Sequence, residues 1–527
     1  MNGTLLLLTI AQKLGYELNA VESLNATGYD AILLISHNGS LDETIPQQLR
    51  DVVKEAATLD AHLEEEISIL KINLPAKRLI YSPTGPINSD YHDVRLFGEA
   101  ARKGIIRAVK AGVKSPLLVL GKISSFPQAQ LVSLLGVMEG LYMNLQLRED
   151  CPSKFPKVRS VGVLGCVPTV SRLLTVASAL ESGRILARDI GAADPERMTP
   201  KKVEQFLKEA FPAGGNVKME VISDESTLSS EYPLFAAVNR AASVIDRHKG
   251  RIVYLTYEGT NVTDTLLIVG KGVTFDSGGA DLKVGGNMIG MSKDKCGAAS
   301  VAGFMKVISM LKPDNLKVIA GLGLVRNSIG ENSYVADEII TSRAGKRVRV
   351  INTDAEGRMV MADVLCYLRE LAPKCVNPHL FTVATLTGHA FRTVGPGYTI
   401  VMDNGPARMK SFSYHLQKSG ESTGDMFEVS TIRREDYEAY KGKVEGEDVL
   451  QTEHLPLAQS KRGHQGAAAF LILASGLDRH ALGTEIPLKF THVDIAASSG
   501  IFGAEIATGA PVIGFATHFL NLKDEDF

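Results

Sequence analysis

Cysteine is scarce in this sequence: five residues in 527, at positions 151, 166, 296, 366 and 375, with no CxxC spacing. So sparse and odd a set speaks against a disulfide framework and predicts buried thiols in a reducing compartment. An excess of charge of one sign is also missing. Lysine and arginine number 57 against 59 acidic residues, a net charge of −2, which argues against a nucleic-acid partner and against an anionic-membrane surface. No apolar run is long enough for a bilayer. TLLLLTI, residues 4–10, lacks a basic leader and is far too short to span; it reads as a buried first strand. Without a secretory signal, the Asn-x-Ser/Thr triplets at Asn2, Asn25, Asn38 and Asn261 read as chance, and a cytoplasmic protein is expected. No GxxxxGK[ST] is present, which leaves phosphate cradling a weak rival for any glycine-rich loop. Repeats and low-complexity segments are absent as well.

What is present is an α/β pattern in two parts. The length exceeds one ordinary core, and the composition, 45% apolar and 22% charged, is that of a globular chain. In the first part AILLIS (31–36) and SPLLVLG (115–121) read as buried strands around a helix over 93–112. This predicts an N-terminal α/β domain, 1–170, with no catalytic spacing in it. A helical pattern over 171–191 then connects to a larger domain, 171–527. There DPERMTPKKVEQFLKEAF (194–211) reads as a turn, a Thr-Pro helix start and a second helix. RIVYLTYEG, DTLLIVGKGVTFD, LKVIAGLGLV, KRVRVIN and HLFTVATLTG read as five strands, HVDIAAS as a further short apolar run, and 295–311 and 358–371 as helices. Strands alternating with helices predict a mixed, mostly parallel sheet flanked by helices, with its site at the carboxyl ends of the strands.

Charged residues gather at those ends. KGVTFDSGGADLKVGGNMIGMSKD (271–294) contributes Lys271, Asp276, Lys283 and Asp294, and INTDAEGR (351–358) contributes Asp354, Glu356 and Arg358. An extended backbone through INTDAEGR would set these last three on one face. Four carboxylates brought together repel unless cations neutralise them. Divalent ions do so economically, because carboxylate oxygens suit Mg, Mn and Zn and paired metals activate water. A lysine near two cations would tend to lose its proton, and a second could stabilise an oxyanion. Taken singly, each carboxylate reads as a solvated loop residue or a helix cap, and Asp294 is well placed as a helix N-cap.

The block NTDAEGR, with VGKGVTFDSGG upstream and ATLTG downstream, resembles the leucyl aminopeptidase family, the M17 cytosol aminopeptidases, from about residue 170 to the end. The long N-terminal part and RGHQGAAAFL (462–471) are most similar to an animal branch of aminopeptidase-like proteins. The resemblance implies a two-metal aminopeptidase that removes the first residue of short peptides, with zinc, manganese or magnesium as its metals. Asp276 would bridge the two ions. Asp354 and Glu356 would complete the tighter site, and Lys271, Asp294 and Glu356 the exchangeable one. Lys283 would polarise the substrate carbonyl. Arg358 would hold a bicarbonate as general base, with backbone contacts from Leu386. Met291, Thr385, Gly388, Ala496 and Ser499 would line the pocket for the first side chain. A homohexamer, a dimer of trimers, is implied as the assembly.

The sequence departs from the family in four places. Asp294 is followed by Lys295 and Cys296 where a small run is usual. Lys295 would weaken the exchangeable site, and Cys296 reads as a buried helix thiol. His389 follows LTG where a small residue is common; it could narrow the pocket or serve as a structural histidine. ADE (336–338) replaces proline-glycine-aspartate, and His464 lies in the altered RGHQGAAAF block, where a catalytic role is not expected. The rival readings are a weak or inert relative acting as a binding or structural protein, and a hydrolase of another amide such as a cysteinyl-glycine dipeptide.

Overall fold

The computed structural model of the chain describes residues 14–37, 43–121, 123–165, 167–453, 460–500 and 506–522. The strand expected at TLLLLTI, Cys166 and the triplets at Asn2 and Asn38 lie outside them. The chain divides into two compact units. One takes the described residues through Ser182 with Lys418–Asp425 and those from Ala516 on; the other takes Gly183–Gln417 and Met426–Phe515.

The first unit is built on six strands: β1 (Glu17–Val21), β2 (Ala31–Ser36), β3 (Ser68–Lys71), β4 (Arg78–Pro83), β5 (Pro116–Leu120) and β6 (Ser160–Leu164). Their order is β1-β6-β5-β2-β4-β3. All pairs are parallel except the edge pair β3–β4. AILLIS and PLLVL are buried throughout, as strands covered on both faces must be. The helices Arg95–Lys110 and Ala129–Leu141 cross at Gly98 and Gly136, where a Cβ on Gly136 would lie 2.2 Å from the Gly98 carbonyl oxygen.

The second unit holds an eight-stranded sheet: β7 (Val217–Ile222), β8 (Arg251–Glu258), β9 (Asp264–Asp276), β10 (Leu316–Asn327), β13 (Pro378–Ala384), β14 (Thr399–Asp403), β15 (Phe427–Thr431) and β17 (Lys489–Asp494). Its order is β15-β14-β17-β13-β9-β10-β8-β7. The centre, β17-β13-β9-β10, is parallel, and antiparallel pairs join it to the outer strands. The helices Cys296–Leu311, Glu356–Leu371 and Gly463–Ala474 are buried along most of their length. VGKG explains part of the packing: a Cβ on Gly270 would lie 2.6 Å from the Ala298 Cα, and one on Gly297 2.2 Å from the Val383 carbonyl oxygen. The helix Cys296–Leu311 therefore lies against β9 and β13 with no side chain between the backbones.

KRVRVIN differs from expectation. Only Arg347–Arg349 is strand (β12), and it joins β11 (Ile339–Thr341) and β16 (Val449–Leu450) in a separate three-stranded sheet. Arg347 and Arg349 turn outward to Asp448 and Asp337, so that only Val348 within β12 and Val350 just after it are fully buried, too little apolar surface for a place inside the large sheet. Among the described residues, no helix is long and apolar enough to cross a membrane.

Candidate metal centre

INTDAEGR is not extended. Thr353–Ala355 forms a 3-10 turn and Glu356 begins the helix that runs to Leu371. The every-second-residue rule therefore does not apply. Asp354, Glu356 and Arg358 share a cavity because the chain enters it at the first turn of a helix. The cavity measures about 570 Å³, and every residue singled out above as ligand, catalytic group or pocket wall lines it, from Lys271 on β9 to Ala496 and Ser499 after β17.

Two lysines organise the acidic cluster. Lys271 Nζ lies 2.7 Å from Asp294 Oδ1 and 3.0 Å from Glu356 Oε1, and donates to the Thr385 carbonyl at 2.9 Å. Lys283 Nζ lies 3.0 Å from Asp276 Oδ2 and also contacts Asp354 Oδ1. Burial alone would lower the pKa of both lysines, but the surrounding carboxylates outweigh it and raise both above the ordinary value. The carboxylates therefore favour the ammonium form of both lysines. Burial, with Asp276 and Glu356 close by, pushes the Asp354 carboxyl up to about 7. Glu356 is raised by burial and by Asp276, against the pull of Lys271 and Lys283. Two ammonium groups offset only two of four carboxylates, so the site retains a demand for positive charge.

The oxygens fit a metal ion. One ligand atom each from Asp276, Asp294 and Glu356 lies within 4.8 Å of the others, and all three residues are buried. Asp294 Oδ1 accepts from Lys271 and from Thr385 Oγ1, the latter at 2.8 Å, while its buried Oδ2 has no hydrogen-bond partner. Asp294 is not the helix N-cap. Lys295 holds that position, and the Asp294 side chain turns away from the helix toward Lys271.

Arg358 is 4% exposed. Its Nη1 donates to the Gln451 carbonyl at 3.0 Å and meets the Tyr440 hydroxyl at 3.3 Å, with the rings of Tyr440 and Phe470 under the guanidinium. On the opposite wall Asp494 sets the 385–388 loop. It accepts from the amides of Leu386 at 3.2 Å and Ala496 at 3.1 Å, and from Thr387 Oγ1 at 2.7 Å. Asn327, Tyr440 and Gln451 carry no signature in the sequence, while Thr353 lies inside the NTDAEGR block but has no role assigned to it by the sequence. Asp494 does carry a signal: it is an acid inside the apolar run HVDIAAS.

The departures also find places. The Lys295 ammonium is fully buried and donates to the carbonyls of Ala193, at 2.9 Å, and Ser292; burial lowers its pKa to about 8. Cys296 is a buried thiol at the helix start, pushed up to about 11 by burial. Of the other described cysteines Cys366 is buried, and Cys151 and Cys375 are half-buried. His389 lines the cavity, with its Nδ1 2.7 Å from that of His464. His464 is buried behind it, 2.9 Å from Ser430 Oγ.

A cluster of carboxylates and lysines thus lies at the carboxyl ends of the central strands, and comparison with known proteins shows the family. Residues 185–517 match the catalytic domain of the cytosol aminopeptidase family. A Caenorhabditis elegans protein named as a candidate aminopeptidase is 41% identical over 488 residues, 91% of this chain and 93% of that one. A Vibrio cholerae cytosol aminopeptidase is 30% identical over 355 residues, 66% of this chain and 64% of that one. A mutant of tomato leucine aminopeptidase superposes with a TM-score of 0.78 at 20% identity, covering 96% of this chain and 97% of that one. A bottromycin maturation enzyme solved in complex with Mn gives 0.74 at 22%, covering 93% and 98%. The last two likenesses concern the fold. The chain belongs to the cytosol aminopeptidase family.

Proposed function

We propose that the chain is a two-metal aminopeptidase that hydrolyses the first peptide bond of short peptides. The observation that carries this reading is the buried cluster of Asp276, Asp294, Asp354 and Glu356, incompletely neutralised by Lys271 and Lys283 and holding an unpartnered Asp294 oxygen, in a chain of this family. Asp276 would bridge two ions, Asp354 and Glu356 complete one site, and Lys271, Asp294 and Glu356 complete the other. When bound, divalent ions supply Lewis acidity that polarises the scissile carbonyl and lowers the pKa of water.

The remaining work falls to the chain's own groups. Lys283, at the mouth of the cluster, stabilises negative charge on the carbonyl oxygen. Arg358, fixed by Gln451 and Tyr440, would hold a bicarbonate, which would supply the general base. Met291, Thr385, Gly388 and Ala496, with Ser499, receive the first side chain, and the 385–388 loop is held for that purpose by Asp494. Anchoring a free amino group at the cluster restricts cleavage to the first bond. Residues 171–527 carry this chemistry, and residues 1–170 serve packing and assembly in a cytoplasmic homohexamer.

The test is hydrolysis of a panel of aminoacyl amides with added Mn or Zn, beside Lys283→Ala and Asp354→Ala. Metal-dependent turnover that both variants abolish is the expected result. Absence of turnover together with absence of metal uptake would overturn the reading in favour of a non-catalytic binding protein.

A further inference from the structure

We propose that Asn327 is a positioning residue of the carboxylate cluster: its side-chain amide sorts the oxygens of Asp276 and Glu356, so that one oxygen of each stays turned toward the cations. The inference rests on the reading of the cluster as a metal site and adds a residue to it.

Asn327 ends β10 and is the register partner of Asp276, which ends β9. It is completely buried. Its Nδ2 donates to Asp276 Oδ1 at 2.8 Å and to the Thr353 carbonyl at 3.1 Å, and lies 3.4 Å from Glu356 Oε2. An amide nitrogen has two hydrogens, which go to Asp276 and to the Thr353 carbonyl in the turn that carries Asp354, and the longer contact to Glu356 shares one of them. The other oxygens are spoken for differently. Asp276 Oδ2 faces the Lys283 ammonium at 3.0 Å and Glu356 Oε1 faces the Lys271 ammonium at 3.0 Å. In both side chains a neutral donor takes one oxygen and a cation takes the other. The Gly278 amide, 2.9 Å from Asp276 Oδ1, fills the same inner oxygen.

The surroundings hold the amide in that orientation. Thr353 Oγ1 donates to the Gly278 carbonyl and accepts from the Asp281 amide at 2.7 Å, and the Thr353 amide donates to Asp281 Oδ2 at 2.7 Å. The Tyr334 hydroxyl joins Asn327 on the Thr353 carbonyl at 2.7 Å. A Cβ on Gly279 would lie 3.0 Å from both Asn327 Oδ1 and Thr353 Oγ1, so a glycine there leaves the amide its place. Aspartate at 327 would set a fifth carboxylate against two others, and leucine would fill the space with no donor. Donors behind metal ligands fix ligand orientation, and their loss typically lowers metal affinity about 10- to 100-fold.

The experiment is an equilibrium titration of the metal-free protein with Mn²⁺, in wild type, Asn327→Leu and Asn327→Ala, beside thermal melts of the metal-free forms. The alanine variant guards against overpacking by leucine and likewise leaves no donor. The expected result is metal-free melting close to wild type, Mn²⁺ affinity lower by about 10- to 100-fold, and aminoacyl amide hydrolysis recovered as Mn²⁺ is raised. Wild-type affinity in either folded variant overturns the role of Asn327 alone. Loss of the fold in both overturns it by making Asn327 a structural residue. A wild type that takes up no Mn²⁺ overturns the aminopeptidase reading and this role with it.

Discussion

The Lys271 side chain lies across the backbone of Gly357: a Cβ at 357 would stand 2.3 Å from Lys271 Cε and 2.5 Å from its Nζ. The glycine of NTDAEGR is thus a space-making residue in the first turn of a helix. It lets a lysine on β9 reach Asp294 and Glu356.

Gly357→Ala is therefore expected to displace the Lys271 amine. The φ of Gly357 is not left-handed, and alanine favours a helix, so the backbone gains while the site loses. A metal-free melt within a few degrees of wild type, with Mn²⁺ affinity and kcat/KM each lower by on the order of 10-fold, is the predicted combination. Unchanged affinity and activity would show that Lys271 moves aside without consequence.

Arg358 is held by a carbonyl and a hydroxyl with aromatic rings under its plane. Lysine cannot reproduce the fork or the stacking. Arg358→Lys is predicted to lower kcat by roughly 100-fold, in the range of a lost general base, with Mn²⁺ binding nearly unchanged. Tyr440→Phe removes one contact and is predicted to cost much less. A parallel fall in metal affinity would contradict the assignment.

His464 gives a pH dependence with a definite sign. Burial, then His389 and Arg462, lowers its pKa to about 3 against the opposing pull of Asp436. The folded state therefore keeps it neutral, while the unfolded chain takes up a proton near 6.5. Its contribution to stability is complete above that pH and is lost progressively as pH falls toward 3, by about 1.4 kcal/mol per unit. Asp354 and Asp363, raised by burial to about 7, act in the opposite sense, so the effect is best read as a difference. Urea midpoints of wild type and His464→Phe from pH 7 to 4 are expected to converge or cross as the wild type loses ground. Parallel curves would contradict the neutral assignment.

The strands that build the site were legible because they are short apolar runs closed by glycine or charge, as in DTLLIVGKGVTFD and LKVIAGLGLV. Lys271, Asp276, Asp354 and Glu356 were legible because the charges stand beside glycine in two short blocks, VGKGVTFDSGG and NTDAEGR, amid apolar runs. The helical start at Glu356 was not, because alternation of charges resembles a strand when neighbouring residues are ignored. Nor was the small sheet around β12, since burial of Val348 between two outward arginines depends on distant acids. Asn327 was illegible in principle: an asparagine ending a strand looks like a turn residue until the register places it beside Asp276. The His389–His464 contact joins residues far apart in sequence, and no local pattern announces it.

The most direct test of the account is the number of Mn²⁺ ions bound by the metal-free protein and by Asp276→Asn. Two ions per chain in the wild type, with affinity for both lost when Asp276 becomes asparagine, is the predicted result. A wild type that binds none, or an Asp276→Asn protein that binds as the wild type does, would contradict the claim that the buried carboxylates form a two-metal site.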